Sequence, residues 1–507
     1  MASQAITKLR DHLSTVNDIQ GALGLMGWDE RTFMPTGGAE VRAERRATLG
    51  RMAHEMFVSS ETETLLADAE RESIGFDPDS DELALVKHTR RTLDRQTAIT
   101  SELASEAIRA SSLGYQTWIS ARANSDFQAF LPALNRIVDV NRRFVEAYRT
   151  VQPDAQEDYD LLLEDFEPGL TAEKITSVFD VIRDRAIPLV AMVRERAVDV
   201  DDGLVHGDFP IDRQRDLAMT VIKQCGFDDK HWRLDETHHP FASSIATTDI
   251  RITTRYIDNF FNSAFFGSLH EFGHGLYERQ VSPSLERTPL ARGASMAWHE
   301  SQSRMWENLV GRSRSFWEWA IGPARDAFPD AFGNASPDDV YRAVNKLHPS
   351  LIRVEADELT YNLHIILRFE MEREILAGKI ELDKLPQAWN QKMEEYLGVD
   401  VTDDADGVLQ DVHWSSGLFG YFPTYALGNV LSLQLWQRIN DEIPSLEESF
   451  AQGEFGELRT WLGENVHAHG SKYLPKDLME RVLGTRELNP GPLTNYLEAK
   501  VTDLYGA

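Results

Sequence analysis

Apolar residues recur at three- and four-residue spacing along most of the chain, a period that predicts a mainly helical protein. Ile6, Leu9, Leu13 and Val16 trace one face of an opening helix, which is expected to stop near Gly21 to Gly27. The pattern returns at Ile175, Val178, Phe179 and Ile182 after Pro168-Gly169, and Pro188 is expected to kink that helix. Ser336-Pro337-Asp338-Asp339 reads as an N-cap, a proline at the first helical position and acids on the positive helix end. Two-residue alternation is scarce. Its best instance is Asp249 to Arg255, where polar 249, 251, 253 and 255 alternate with Ile250 and Ile252. No repeat, low-complexity tract or long Pro/Ser linker divides residues 1–507, which therefore read as a single unit.

Composition narrows the function. Lys and Arg total 52 against 82 Asp and Glu, a net charge of −30, which argues against nucleic acid or an anionic membrane surface as partner. One cysteine, Cys225, excludes a secreted disulfide scaffold and fits a reducing, cytoplasmic compartment. The opening MASQAITKLRDHLSTVNDIQ lacks the apolar core of a signal peptide. From Val412 to Gln437 there is no Asp, Glu, Lys or Arg, long enough to span a bilayer. His413, Gly417, Gly420, Pro423, Gly428 and Asn429 interrupt it, so a buried, irregular segment beside an active site is the better reading.

The chemistry concentrates in Phe265 to Tyr277. His270 and His274 are four apart, so a helix sets both imidazoles on one face, one turn from each other. That spacing suits two ligands of a single Zn²⁺, and Glu271 is placed to act on a metal-bound water as general base. Gly273 and Gly275 weaken a helix, which is unexpected unless something packs closely there. Phe260, Phe261, Phe265 and Phe266 would bury the helix and dry the site.

A catalytic zinc takes a third protein ligand and keeps one position open. The cluster Trp298 to Asn308 offers Glu300, which shares a helical face with Arg304, Glu307 and Asn308; Arg304 and Asn308 are candidates to support it. Spacing alone leaves His299 and His413 as rivals, and a plain surface Glu–Arg pair as the alternative.

HEFGH followed 26 residues later by Glu300 of His299-Glu300-Ser301-Gln302 resembles the carboxypeptidase Taq family of metallocarboxypeptidases. His239-Pro240-Phe241, Asp249-Ile250-Arg251-Ile252-Thr253, Ile352 to Asp357 and Gly407 to Trp414 match the same family in the same order. Gly27-Trp28-Asp29 with Met34-Pro35, and Trp461 to Gly470, are also similar to it. The resemblance implies a large helical peptidase fold with a deep central groove between two lobes and a small sheet beside the site. It further implies a homodimer, removal of C-terminal residues from peptides, and Glu300 as the third ligand.

Tyr421 and Tyr425 are candidates for the donor that stabilises the oxyanion, with packed core tyrosines as the alternative. Recognition of a free carboxylate calls for an arginine fork. Arg353 is the first choice, from the matched segment, unless it is a structural pair with Glu355 or Asp357. Arg251 is the second, on a strand whose edge would align the peptide. His413 would line the site or orient a ligand. His467 and His469 read as a solvated helix end. An endopeptidase or aminopeptidase with the same metal motif, and a non-catalytic scaffold with a relict motif, are the competing readings. Co²⁺ is a possible substitute for zinc.

Overall fold

The computed structural model describes residues 4–196 and 200–506. Helices dominate, with one three-stranded sheet among the described residues. The chain forms two compact units, each from three stretches: Met1–Gln96, Asp202–Val344 and Leu435–Arg486 in the first, Thr97–Asp201, Asn345–Gln434 and Glu487–Ala507 in the second. The boundary at Gln434/Leu435 falls inside the helix Pro423–Glu442, and that at Gln96/Thr97 inside Asp81–Ala98. No linker composition marks them for that reason.

In the first unit, helix α1 (Gln4–Thr32) buries Ile6, Leu9, Leu13 and Val16 as the period predicts. They join Phe57 of α2 (Ala39–Phe57) and Leu93 of α3 (Asp81–Ala98) in one core, where each large side chain is worth about 1.5–3 kcal/mol. The helix does not stop at Gly21 to Gly27 but runs to Thr32. At those glycines the helix lies against Ile245 at ordinary contact distance: a Cβ on Gly21 would be 3.5 Å from its carbonyl, and one on Gly24 3.6 Å from its side chain.

The sheet holds β1 (Trp232–Glu236), β2 (Ala242–Ala246) and β3 (Asp249–Thr254) in the order β1-β3-β2. Strand β3 pairs parallel to β1 and antiparallel to β2. Being central, β3 has no free edge. Arg251 therefore sits on a strand that cannot add a peptide, and the edge role passes to its neighbours.

In the second unit the helix Ala172–Glu195 runs unbroken through Pro188 and buries Ile175, Val178, Phe179 and Ile182. Phe179 meets Phe369 edge to face at 5.2 Å. At Ser336, in the first unit, the N-cap is reciprocal: Asp339 N–H donates to Ser336 Oγ at 3.1 Å and Ser336 N–H to Asp339 Oδ2 at 2.8 Å. The uncharged stretch after Val412 is buried through much of its length, but from Pro423 it is a regular helix rather than irregular. Among the described residues no helix is long and apolar enough to cross a membrane.

Candidate active site

The first unit assembles the HEFGH segment on helix α4 (Phe261–Arg279). Its aromatic face is locked in place: Phe265 stacks on Trp317 at 5.4 Å, and Phe272 lies between Trp232 and Trp306. Phe260 precedes the helix and is only half-buried, stacked on His206. A Cβ on Gly273 would stand 2.5 Å from the Gln302 carbonyl, and one on Gly275 2.3 Å from the Trp232 ring. Both glycines are thus spaces for neighbours. The first admits helix α5 (Met296–Arg304), capped by Ser295, whose Oγ accepts from Trp298 N–H at 3.3 Å.

That approach brings Glu300 to the two histidines. Glu300 Oε2 lies 3.4 Å from His274 Nε2 and 3.8 Å from His270 Nε2. One ligand atom from each of the three residues falls within 4.8 Å of the others.

Proton positions follow from the partners. His270 Nδ1 is 2.8 Å from Glu307 Oε2, a carboxylate that can only accept, so Nδ1 carries the proton. On the other histidine, Nδ1 is 2.6 Å from His299 Nδ1, and His299 Nε2 is 2.8 Å from Glu278 Oε1. With His299 donating to Glu278, its Nδ1 accepts from His274. Both Nε2 atoms face Glu300, and with Nδ1 donating, a neutral ring presents there the lone pair that a metal requires. His299 stands outside the group of three and contacts His274 through Nδ1.

Arg304 Nε donates to Glu300 Oε1 at 2.7 Å, and its Nη1 to Glu307 Oε2 at 3.1 Å. Glu307 reaches this position from a π-helical turn, Met305–Val310, that continues α5. Burial would raise the Glu300 carboxyl, but Arg304 and the two imidazoles outweigh it and hold it well below the usual range. Glu307 is likewise held at about 2 by Arg304 and His270 against its burial. Burial takes His274 down to about 3, a neutral ring. Glu271 differs: burial dominates and raises it to about 7. Its Oε2 is buried with no hydrogen-bond partner among the described residues, the form of a carboxylate with room to take a proton.

The remaining candidates divide. Arg251 is closed on Asp249 by two bonds of 2.9 and 2.8 Å, over the Trp28 ring. In the second unit Arg353, His413, Tyr421 and Tyr425 form a single cluster. Arg353 pairs with neither Glu355 nor Asp357 but with Asp411, through Nε at 2.9 Å and Nη2 at 2.8 Å. Asp411 also takes Arg368 Nε at 2.5 Å, and the two cations hold its carboxyl far below the usual range despite burial. Asp357 instead caps the backbone at His348, Leu359 and Thr360. His413, buried and neutral with a pKa near 4, sits 3.3 Å from the Tyr425 hydroxyl, while the Tyr421 ring meets Phe166 edge to face. His467 is no solvated helix end. It is fully buried, with Nδ1 on Gln280 and Nε2 on Gln302. Cys225 is buried too, and burial pushes its thiol up, which makes it unreactive.

Residues 8–501 match the carboxypeptidase Taq (M32) metallopeptidases. The chain belongs to that family. It is accordingly a metallocarboxypeptidase, an exopeptidase that hydrolyses peptide bonds, which sets aside the endopeptidase and aminopeptidase readings. It is 40% identical to thermostable carboxypeptidase 1 of Thermus thermophilus over 95% of each chain. With carboxypeptidase 1 of Bacillus subtilis it shares 38% identity, over 98% of this chain and 97% of that one. Among solved structures, the M32 carboxypeptidase of Deinococcus radiodurans superposes with a TM-score of 0.95 at 38% identity, all of each chain being covered. The Pyrococcus furiosus carboxypeptidase in its apo-Mg form gives 0.94 at 33%, over 99% of each. A divalent metal ion belongs to this metallopeptidase family, and the triad is a site with the donors to hold one.

Proposed function

We propose that this metallocarboxypeptidase removes C-terminal residues from peptides with Zn²⁺ held by His270 Nε2, His274 Nε2 and Glu300 Oε2. The observation that carries the reading is the contact pattern: each histidine sets Nδ1 against a fixed partner and turns Nε2 to the same carboxylate. Two imidazoles and a carboxylate suit zinc, and Co²⁺ is the natural substitute in such a donor set. When bound, the metal supplies a Lewis acid that polarises the scissile carbonyl and acidifies a water. Glu271, through its unpartnered Oε2, takes the proton of the attacking water and returns it to the leaving amine. Glu307 and the His299–Glu278 pair keep the ligand rings from turning.

The assignments in the second unit rest on its matched motifs. Tyr425, steered by His413, is the proposed oxyanion donor, with Tyr421 second. Arg353 is the proposed partner of the peptide carboxylate. Two guanidiniums share Asp411, and Arg353 also donates to the Tyr361 hydroxyl at 3.2 Å. Arg353→Ala should lower kcat/KM for free-ended peptides by on the order of 2–5 kcal/mol, mainly through KM, with metal content unchanged. Asp411 keeps Arg368, so the cluster stays paired. Equal losses on free and amidated peptides would make Arg353 structural.

The reading as a whole is tested by timed digestion followed by mass spectrometry. A free-ended peptide should shorten from its C-terminus, an amidated one should not, and exhaustive chelation should abolish the reaction until zinc is restored. Full activity of metal-free protein, or trimming from the N-terminus, would overturn it.

A further inference from the structure

Among the described residues strand β2 pairs only with β3, so its other edge has no strand partner. Ala242 to Ala246 of that strand line a cavity of about 620 Å³, whose other walls come from α1, α2, α3, α4 and the segment 286–292. His299 lines it as well, and His299 touches the ligand His274. The cavity therefore comes within one side chain of the metal triad, inside a single unit.

Into this space Arg292 brings a charge. Its side chain is solvent-accessible and lines the cavity. Nη2 donates to His88 Nε2 at 3.3 Å. His88 is buried, and burial lowers it well below the usual histidine range, so it is a neutral acceptor. No carboxylate pairs with Arg292 among the described residues, although the chain carries 82 acidic side chains. Glu278, whose charge acts on it, is committed to His299 Nε2 at 2.8 Å and Gly293 N–H at 3.1 Å. A solvent-accessible arginine that lines a cavity and has no carboxylate partner among the described residues is available to an anion from outside.

We propose that this cavity receives the retained, N-terminal side of the peptide and that Arg292, steadied by His88, selects an acidic side chain there. The inference rests on the exopeptidase reading and names the substrate class it prefers. A carboxypeptidase releases one residue, whereas a wall five strand residues long, about 3.3 Å each, runs beside several. Only the part of the peptide that stays after cleavage is long enough to fill it.

The test uses free-ended alanine-based peptides of one length, with Glu, Gln or Lys placed in turn at the three positions before the scissile bond. Wild-type kcat/KM should favour Glu over Gln at one position by on the order of tenfold, and disfavour Lys there. Arg292→Gln should collapse that ratio toward one, Arg292→Lys should retain part of it, and Arg292→Glu should invert it toward the Lys peptide. Metal content, measured on every variant, should follow the wild type because Arg292 is not a ligand. Absence of a Glu/Gln preference in the wild type at every position overturns the assignment, as does a preference that survives in Arg292→Gln. If wild-type protein shortens the peptides by one residue without regard to charge, the Arg292 assignment alone falls. If no peptide is shortened from its C-terminus, the exopeptidase reading falls with it.

Discussion

Glu271→Gln is expected to reduce peptide hydrolysis by on the order of 10²–10⁴-fold while the bound metal stays at wild-type content. The side chains are nearly isosteric, so the α4 packing set by Phe272, Gly273 and Gly275 is preserved. What changes is the atom at Oε2. In the wild type it is an acceptor with no partner in a buried site; in the variant the amide cannot take a proton from water. Burial makes the distinction sharper, because it raises the carboxyl to about 7, where it exchanges a proton near neutral pH more readily than an ordinary glutamate. Parallel measurement of metal content and kcat separates the role of Glu271 from that of a ligand. A variant that hydrolyses within a few-fold of wild type, or whose loss tracks lost metal, would remove Glu271 from the proton transfer.

The same helix shows why its site was legible in the sequence. His270, Glu271 and His274 lie within five residues, and helical geometry alone fixes their common face. Gly273 and Gly275 signalled close packing from composition, and the neighbours proved to be Gln302 and Trp232. Strand β3 and the Ser336 cap were readable for the same local reason. Features that depend on distant partners were not. The pairing of Arg353 with Asp411 spans 58 residues, and local alternatives two and four residues away were the natural reading. Likewise, α1 continues past Gly21 to Thr32, and the Ile245 it packs against lies more than 200 residues on. The central place of β3 in the sheet is a property of topology, invisible in the alternation that identified the strand. Arg292 belongs to no motif, and its lack of a carboxylate partner among the described residues is a property of the fold that no local pattern shows.

Glu300→Ala and Glu307→Ala should part company on metal affinity, since only the first is a proposed ligand. Glu300 Oε2 faces both Nε2 atoms, at 3.4 and 3.8 Å, so its loss leaves two donors where three converged. Affinity should fall by well over 100-fold, beyond what loss of a supporting group costs. Glu307 touches His270 through Nδ1, the nitrogen turned away from Glu300, so its loss frees the ring to rotate and change tautomer without deleting a donor. A decrease of about 10–100-fold is the expected consequence. Both substitutions also disturb buried ion pairs, because Arg304 bridges the two carboxylates. Breaking such a pair costs on the order of 3–5 kcal/mol, so unfolding of the metal-free proteins must be measured beside competition against a chelator. If the two variants lose similar stability but differ in affinity as stated, coordination by Glu300 is separated from its structural pairing. Equal affinities for the two would make Glu300 a partner of Arg304 only, and the third donor would have to be sought elsewhere.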